Sequence, residues 1–144
     1  FTDSGRNLPT ECFHRIYTTV HAHTWYIQMW LNKLYDISQG DVTEEMVEAA
    51  LQKILREEDD NFDAYHRLMT AAQRKIMLAI AREGVVSQPY AAAFIKRYNL
   101  PAVSTVKSSL KTLVDNEFLL SERGAISVYN RFFGLWLCST FATR

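Results

Sequence analysis

Residues 104–123 concentrate side chains that can engage a nucleic-acid backbone: Ser104, Thr105, Lys107, Ser108, Lys111 and Arg123. Lysine ammonium groups neutralise phosphates, and small hydroxyls hydrogen-bond phosphate oxygens or base edges. Lys107 and Lys111 stand four apart, so on a helix they share one face. Arg123 could reach a backbone phosphate or a minor groove, with Lys96 and Arg97 flanking it. Asp115, Glu117 and Glu122 lie close by in sequence, and no arginine cluster is present. DNA affinity that is independent of sequence grows with the number of phosphates neutralised. These cations are few for that purpose, and the same composition is ordinary surface for a packing or protein-docking module.

Other chemistry is more thinly supplied. His14, His21, His23 and His66 raise a metal or acid–base site. On a helix the two-residue spacing of His21 and His23 would oppose the rings, and no Asp, Glu or Cys completes a ligand set at fitting spacing. Cys12 beside His14 is the best nucleophile–base pairing, and it has no recognisable orienting group. Glu57 to Asp60 read as a solvated helix terminus, since a metal site needs ligands converging from elsewhere. No residue is therefore assigned to catalysis or to a metal. Trp25, Trp30, Trp136 and Phe132-Phe133 read as core or interdomain packing, and exposed ones would mark a docking surface.

The elements that hold the hydroxyl–lysine face follow from periodicity. Thr10 is placed as the N-cap of a helix with Phe13, Ile16, Tyr17 and Val20 on one side. After a break at 21–24, Trp25, Ile27, Met29, Trp30, Leu31, Leu34 and Ile37 cover most of a second helix, which predicts enclosure. Thr43 caps a third helix with a stripe of Met46, Val47, Ala50, Leu51, Ile54 and Leu55. The acidic run at 57–60 opposes its C-terminal dipole and stops it. A short amphipathic link, Phe62 to Met69, leads to Thr70. That residue caps a helix with Ile76, Met77, Leu78, Ile80 and Ala81 inward, ended by Gly84.

Ala91 to Tyr98 forms the next helix, with Phe94, Ile95 and Tyr98 as its core side. Pro101 forbids its continuation. Ser104 or its neighbour caps a further helix that sends Val106, Leu110, Leu113 and Val114 inward. Thr105, Lys107, Ser108, Ser109, Lys111 and Thr112 are left outward in part or whole. Leu119–Glu122 and Ala125–Val128 fit two short strands around Arg123-Gly124. Helix, helix, turn, helix, hairpin is the order of a winged helix-turn-helix, whose last helix is usually inserted into a DNA groove.

The 144 residues suit one domain or two small ones, and 48% apolar composition allows a core without staples. Zero net charge conceals a split. Residues 1–63 hold 12 acids and 5 bases, and residues 64–144 hold 4 acids and 11 bases. That pattern hints at a polyanion-binding half, or at two modules that attract each other. Cys12 and Cys138 form neither a disulfide framework nor a zinc spacing, so a reduced, cytoplasmic protein is expected. No run approaches the roughly 20 apolar residues of a membrane span, and no signal peptide is visible. A first residue of Phe1 rather than Met reads as a fragment of a longer chain.

Several segments in order resemble the C-terminal half of P-loop ATPases of the AAA/STAND type. Ala22-His23-Thr24-Trp25-Tyr26-Ile27-Gln28 is similar to that family's Gly-His-Pro-Tyr-Tyr-Ile-Gln lid segment. Val42 to Val47, Leu68 to Arg74, Ala79 to Gly84, Tyr98 to Val106, and Val128 to Leu137 follow its pattern, with Asn130 in place of an acid. The resemblance implies a helical lid at 10–60 after a loop at 1–9, a linker helix at 61–69, a winged helix at 70–137 and a tail at 138–144. It further implies that His23 and Thr24 lie near the base or ribose of a nucleotide. The expected fold is thus mainly α, a lid followed by a winged helix with a small hairpin.

No Gly-x-x-x-x-Gly-Lys-Ser/Thr occurs, so no enzyme activity and no cofactor are expected of this stretch. ATP or ADP belongs to the implied parent, whose nucleotide-binding domain would be one partner, with DNA or a protein as another. The functional expectation is a regulatory fragment that couples nucleotide state to a DNA or protein partner. The alternative is a DNA-binding transcription regulator.

Overall fold

The computed structural model describes residues 7–142. Of the loop expected at 1–9, residues 1–6 lie outside the described residues, as do 143 and 144 of the expected tail. The chain forms two compact units, 1–58 and 59–144.

The first unit contains α1 (Thr10–Thr19), α2 (Thr24–Ile37) and α3 (Glu44–Glu57). Thr10 is the first residue of α1 and not its cap; Pro9 holds the N-cap position and no side chain caps the helix. Proline accounts for this, since its fixed φ near −60° suits helix entry and its carbonyl accepts the amides of Cys12 and Phe13. The break before α2 is made by His21 and Ala22, both left-handed at φ 54° and 61°. Enclosure of α2 is partial: Tyr26, Ile27, Trp30 and Leu34 are buried, whereas Trp25 stays 53% exposed. Residues one turn apart stack on one side of a helix, and Trp25 and Met29 fall off that side. The Trp30 indole nitrogen donates to the Val47 carbonyl at 3.0 Å, which ties α2 to α3. Thr43 caps α3 by accepting from the Met46 amide.

The second unit contains α4 (Asp59–Arg67), α5 (Ala71–Glu83), β1 (Val85–Val86), α6 (Ala92–Arg97), α7 (Val103–Asp115), β2 (Leu119–Glu122), β3 (Ala125–Val128) and α8 (Arg131–Thr140). Asp59 and Asp60 open α4, where the N-terminal dipole favours them; they are therefore a start signal rather than part of a stop. Thr70 and Gln73 close a reciprocal capping box on α5. Val85-Val86 adds a strand that periodicity missed, and the antiparallel sheet runs β1-β3-β2. Val85 faces Ser127 across it, and Leu119 faces Val128.

The core of this unit holds α5 through Ile76, Met77 and Ile80, α7 through Val106, Leu110 and Leu113, and α8 through Phe132, Phe133, Trp136 and Leu137. The aromatic stretch after the hairpin is a helix that runs on to Thr140, into the expected tail, and is capped by the Asn130 carboxamide oxygen, which accepts from the Phe132 and Phe133 amides. Gly134 packs α8 onto Val128 of β3, where an added Cβ would sit 3.4 Å from the Val128 Cβ, in van der Waals contact. The Trp136 indole nitrogen donates to Asp59 at 2.8 Å, joining α8 to the start of α4.

Candidate nucleic-acid interface

The interface is built on α7. Val106, Leu110 and Leu113 fall on the side turned to α5, so the helical period turns Ser104, Thr105, Lys107, Ser108 and Lys111 to solvent. Three details depart from the sequence reading. Ser104 is the second residue of the helix and caps nothing; Ala102, at φ −55° and ψ 152°, takes the N-cap position without a side-chain bond. Ser109 is buried, one position from Leu110 on the core side. Val114 is half-buried at the margin.

The hairpin matches its expected strands. Arg123 and Gly124 both take positive φ, 52° and 76°, and join Glu122 to its partner Ala125. Two left-handed residues in a two-residue loop define the tight turn whose twist suits an antiparallel pair. Arg123 is exposed at this tip.

Between α7 and the sheet lies an open groove of about 490 Å³. Ser104, Lys107, Ser108 and Lys111 form its polar side, and Leu110, Val114 and Ile126 form its apolar floor. The Asp115 carboxylate also lines it, and Tyr90 and Ser121 complete it and line a neighbouring depression beside Gly124 as well. Neither Tyr90 nor Ser121 was singled out from sequence. Ser121 is signalled by the outward alternation of β2, and Tyr90 by an exposed aromatic just ahead of α6.

The electrostatics are modest. Lys111 pairs with Asp115 one turn along, at 3.0 Å, with side chains 78% and 60% exposed. Such a pair is weak and readily exchanged for a phosphate. Arg97 is engaged by Glu83 at 2.6 Å, and the Tyr98 hydroxyl donates to the same oxygen. The Tyr98 hydrogen bond, then Arg97, hold the Glu83 carboxyl below its ordinary pKa. Arg97 is thus committed to fastening α6 to the end of α5. Moving the boundary to 58/59 also softens the charge split: residues 59–144 carry 7 acids and 11 bases, and residues 1–58 carry 9 acids and 5 bases.

A family model described as "Probable winged helix domain" matches residues 60–139. The chain belongs to this family. No curated protein and no solved structure matches it. The winged helix therefore comprises α5, α6 and α7 as its helical cluster and β2–β3 as its wing, and the matched span takes in all but the first residue of α4 and the last of α8.

The other residues considered from sequence do not line this groove. His23 and Thr24 are exposed at the start of α2, with the His23 ring 4.8 Å from that of Tyr26. Among the described residues no group of three or more His, Cys, Asp or Glu could hold a metal ion. Burial, then Glu44 and Glu11, push the Cys12 thiol above its ordinary pKa, and burial does the same to Cys138. Raised thiols are poor nucleophiles. No helix among the described residues is long and apolar enough to cross a membrane.

Proposed function

We propose that the winged helix is a regulatory module that contacts duplex DNA through the outer side of α7, with Arg123 of the wing on the backbone. The observation that carries this reading is the solvent-facing Ser104, Thr105, Lys107, Ser108 and Lys111 on a helix anchored beneath by Val106, Leu110 and Leu113. With Lys107, Lys111 and Arg123 on phosphates, the slope of log affinity against log salt is about −2.7, at about 0.9 per phosphate. Replacing both lysines by alanine flattens it by about 1.8. Fluorescence anisotropy of a labelled duplex, titrated with salt, reads both quantities. No binding at low salt, or an unchanged slope in the double variant, rejects the proposal.

A second reading extends the first. The ordered resemblance from Ala22 to Leu137 supports a parent ATPase in which the first unit is a lid, with His23 and Thr24 near the nucleotide, and in which the winged helix reports nucleotide state. The parent reading frame tests it. A P-loop domain encoded immediately upstream of residue 1 is the expected result, and its absence rejects this reading without touching DNA contact.

A further inference from the structure

We infer that the winged helix carries a second binding site, for a side-chain cation of a basic peptide, at the end of the sheet away from the wing turn. A pocket of about 350 Å³ lies there, lined by the aromatic Tyr65, Phe118, Tyr129 and Phe133 with Asn116, Glu117 and Asn130. Four of the seven are aromatic. Phe133 is buried at the base, and Tyr65 packs against it edge-on at 5.7 Å and against Phe118 at 5.8 Å. Those three rings fix one another, so this part of the wall is preorganised.

Tyr129 differs from them. Its side chain is 47% exposed, and no aromatic partner or side-chain hydrogen bond is found for it among the described residues. Its backbone is nevertheless fixed, since its amide donates to the Phe118 carbonyl at 3.0 Å. A rigidly mounted, solvent-facing ring over an aromatic floor is a surface awaiting a partner.

The chemistry selects the occupant. Aromatic faces are negative and attract guanidinium or ammonium groups. Glu117, the single charged residue of the lining, is exposed and adds a carboxylate of matching sign. An anion would be repelled by Glu117, and a purely apolar side chain would leave that carboxylate unused. The site is also independent of the DNA-contact surface. The four residues of β2 separate Phe118 from Arg123, five steps or roughly 17 Å at 3.3–3.4 Å per residue, and neither Lys107 nor Lys111 lines the pocket.

The test is an NMR titration of the ¹⁵N-labelled chain with Nα-acetyl-arginine amide, with Nα-acetyl-norleucine amide as the uncharged control. Saturable shifts confined to 116–118 and 129–130 are expected with the arginine probe and not with the control. Tyr129→Ala weakens binding about two- to fivefold, the range for one exposed cation–π contact; Glu117→Gln weakens it in the same direction and makes it insensitive to salt. Both residues are exposed, and matching spectra elsewhere confirm that the variants fold. Lys107→Ala with Lys111→Ala leaves the affinity unchanged, which separates this site from the DNA proposal. Absence of saturable shifts, equal shifts with norleucine, or indifference to Tyr129→Ala overturns the inference.

Discussion

Truncating Leu113 should cost the second unit far more than removing Lys107, although both lie on α7. Leu113 is 1% exposed against the core, whereas Lys107 is exposed at the groove. Leu→Ala in a close-packed interior costs about 2–5 kcal/mol, the spread depending on how far the site collapses. Collapse is limited here because Ile76, Ile80 and Leu119 are themselves fully buried in the same unit. The second unit spans 86 residues (59–144), and domains hold roughly 0.05–0.15 kcal/mol per residue, or about 4–13 kcal/mol in all. Leu113→Ala thus removes between about a sixth and all of its stability. Lys107→Ala should stay within about 0.5 kcal/mol, as for surface sites away from special features. Hydrogen exchange of the α5 and α8 amides reads this unit separately from the first. Under conditions where exchange tracks the opening equilibrium, Leu113→Ala should speed the slowest amides about 30-fold to several thousand-fold. If the two substitutions have equal effects, or if Lys107→Ala is the more damaging, the assignment of inner and outer sides of α7 is wrong.

Three further outcomes follow from individual contacts. Thr70→Ala breaks the reciprocal cap of α5 and should cost about 1 kcal/mol, read as a lower urea midpoint for the second unit, with Thr70→Ser restoring most of it. Gly124→Ala meets no steric obstacle but places a Cβ at φ +76°, so it should destabilise the wing by about 1–2 kcal/mol, seen as faster exchange at Glu122 and Ala125 of the hydrogen-bonded pair flanking the turn. Burial first, then Arg74, lower the His66 pKa from 6.5, while Asp63 opposes them. The folded state therefore binds this proton less readily than the unfolded chain. His66 contributes stability that is fully present above its ordinary value and is lost as pH falls through 6.5 toward the depressed value. Urea midpoints between pH 7.5 and 5 should fall in the wild type, and the fall should be smaller in His66→Phe.

Sequence patterning carried the second unit further than the first. The wing strands coincide with Leu119–Glu122 and Ala125–Val128 because a two-residue Arg-Gly loop leaves one register for alternating flanks. The inner row of α7 was legible because four apolar residues recur at helical spacing amid hydroxyls and lysines. Val85-Val86 was not, since two residues show no periodicity and the strand exists only because β3 offers an edge. The helical state of Arg131–Thr140 was hidden by its density of aromatics, which conceals any single face. Pro9 and Ala102 displaced Thr10 and Ser104 from the caps because backbone geometry next to proline set the entry.

At the candidate interface, residue types and faces were readable, but their pairings were less so. Lys111 with Asp115, spaced i to i+4, could have been anticipated; Arg97 with Glu83 bridges two helices and could not. The charge split weakened because it depended on where one unit ends and the next begins. Tyr65, Glu117 and Tyr129 meet at one pocket only through the fold.

The most direct test of the proposed role is an amide shift map of the labelled chain on adding a short duplex at low salt. The largest changes are expected on 104–111 of α7 and on Arg123 and Gly124, and added salt should reverse them. Changes centred on α2 or on 116–118 and 129–130, with α7 and the wing turn silent, would contradict it.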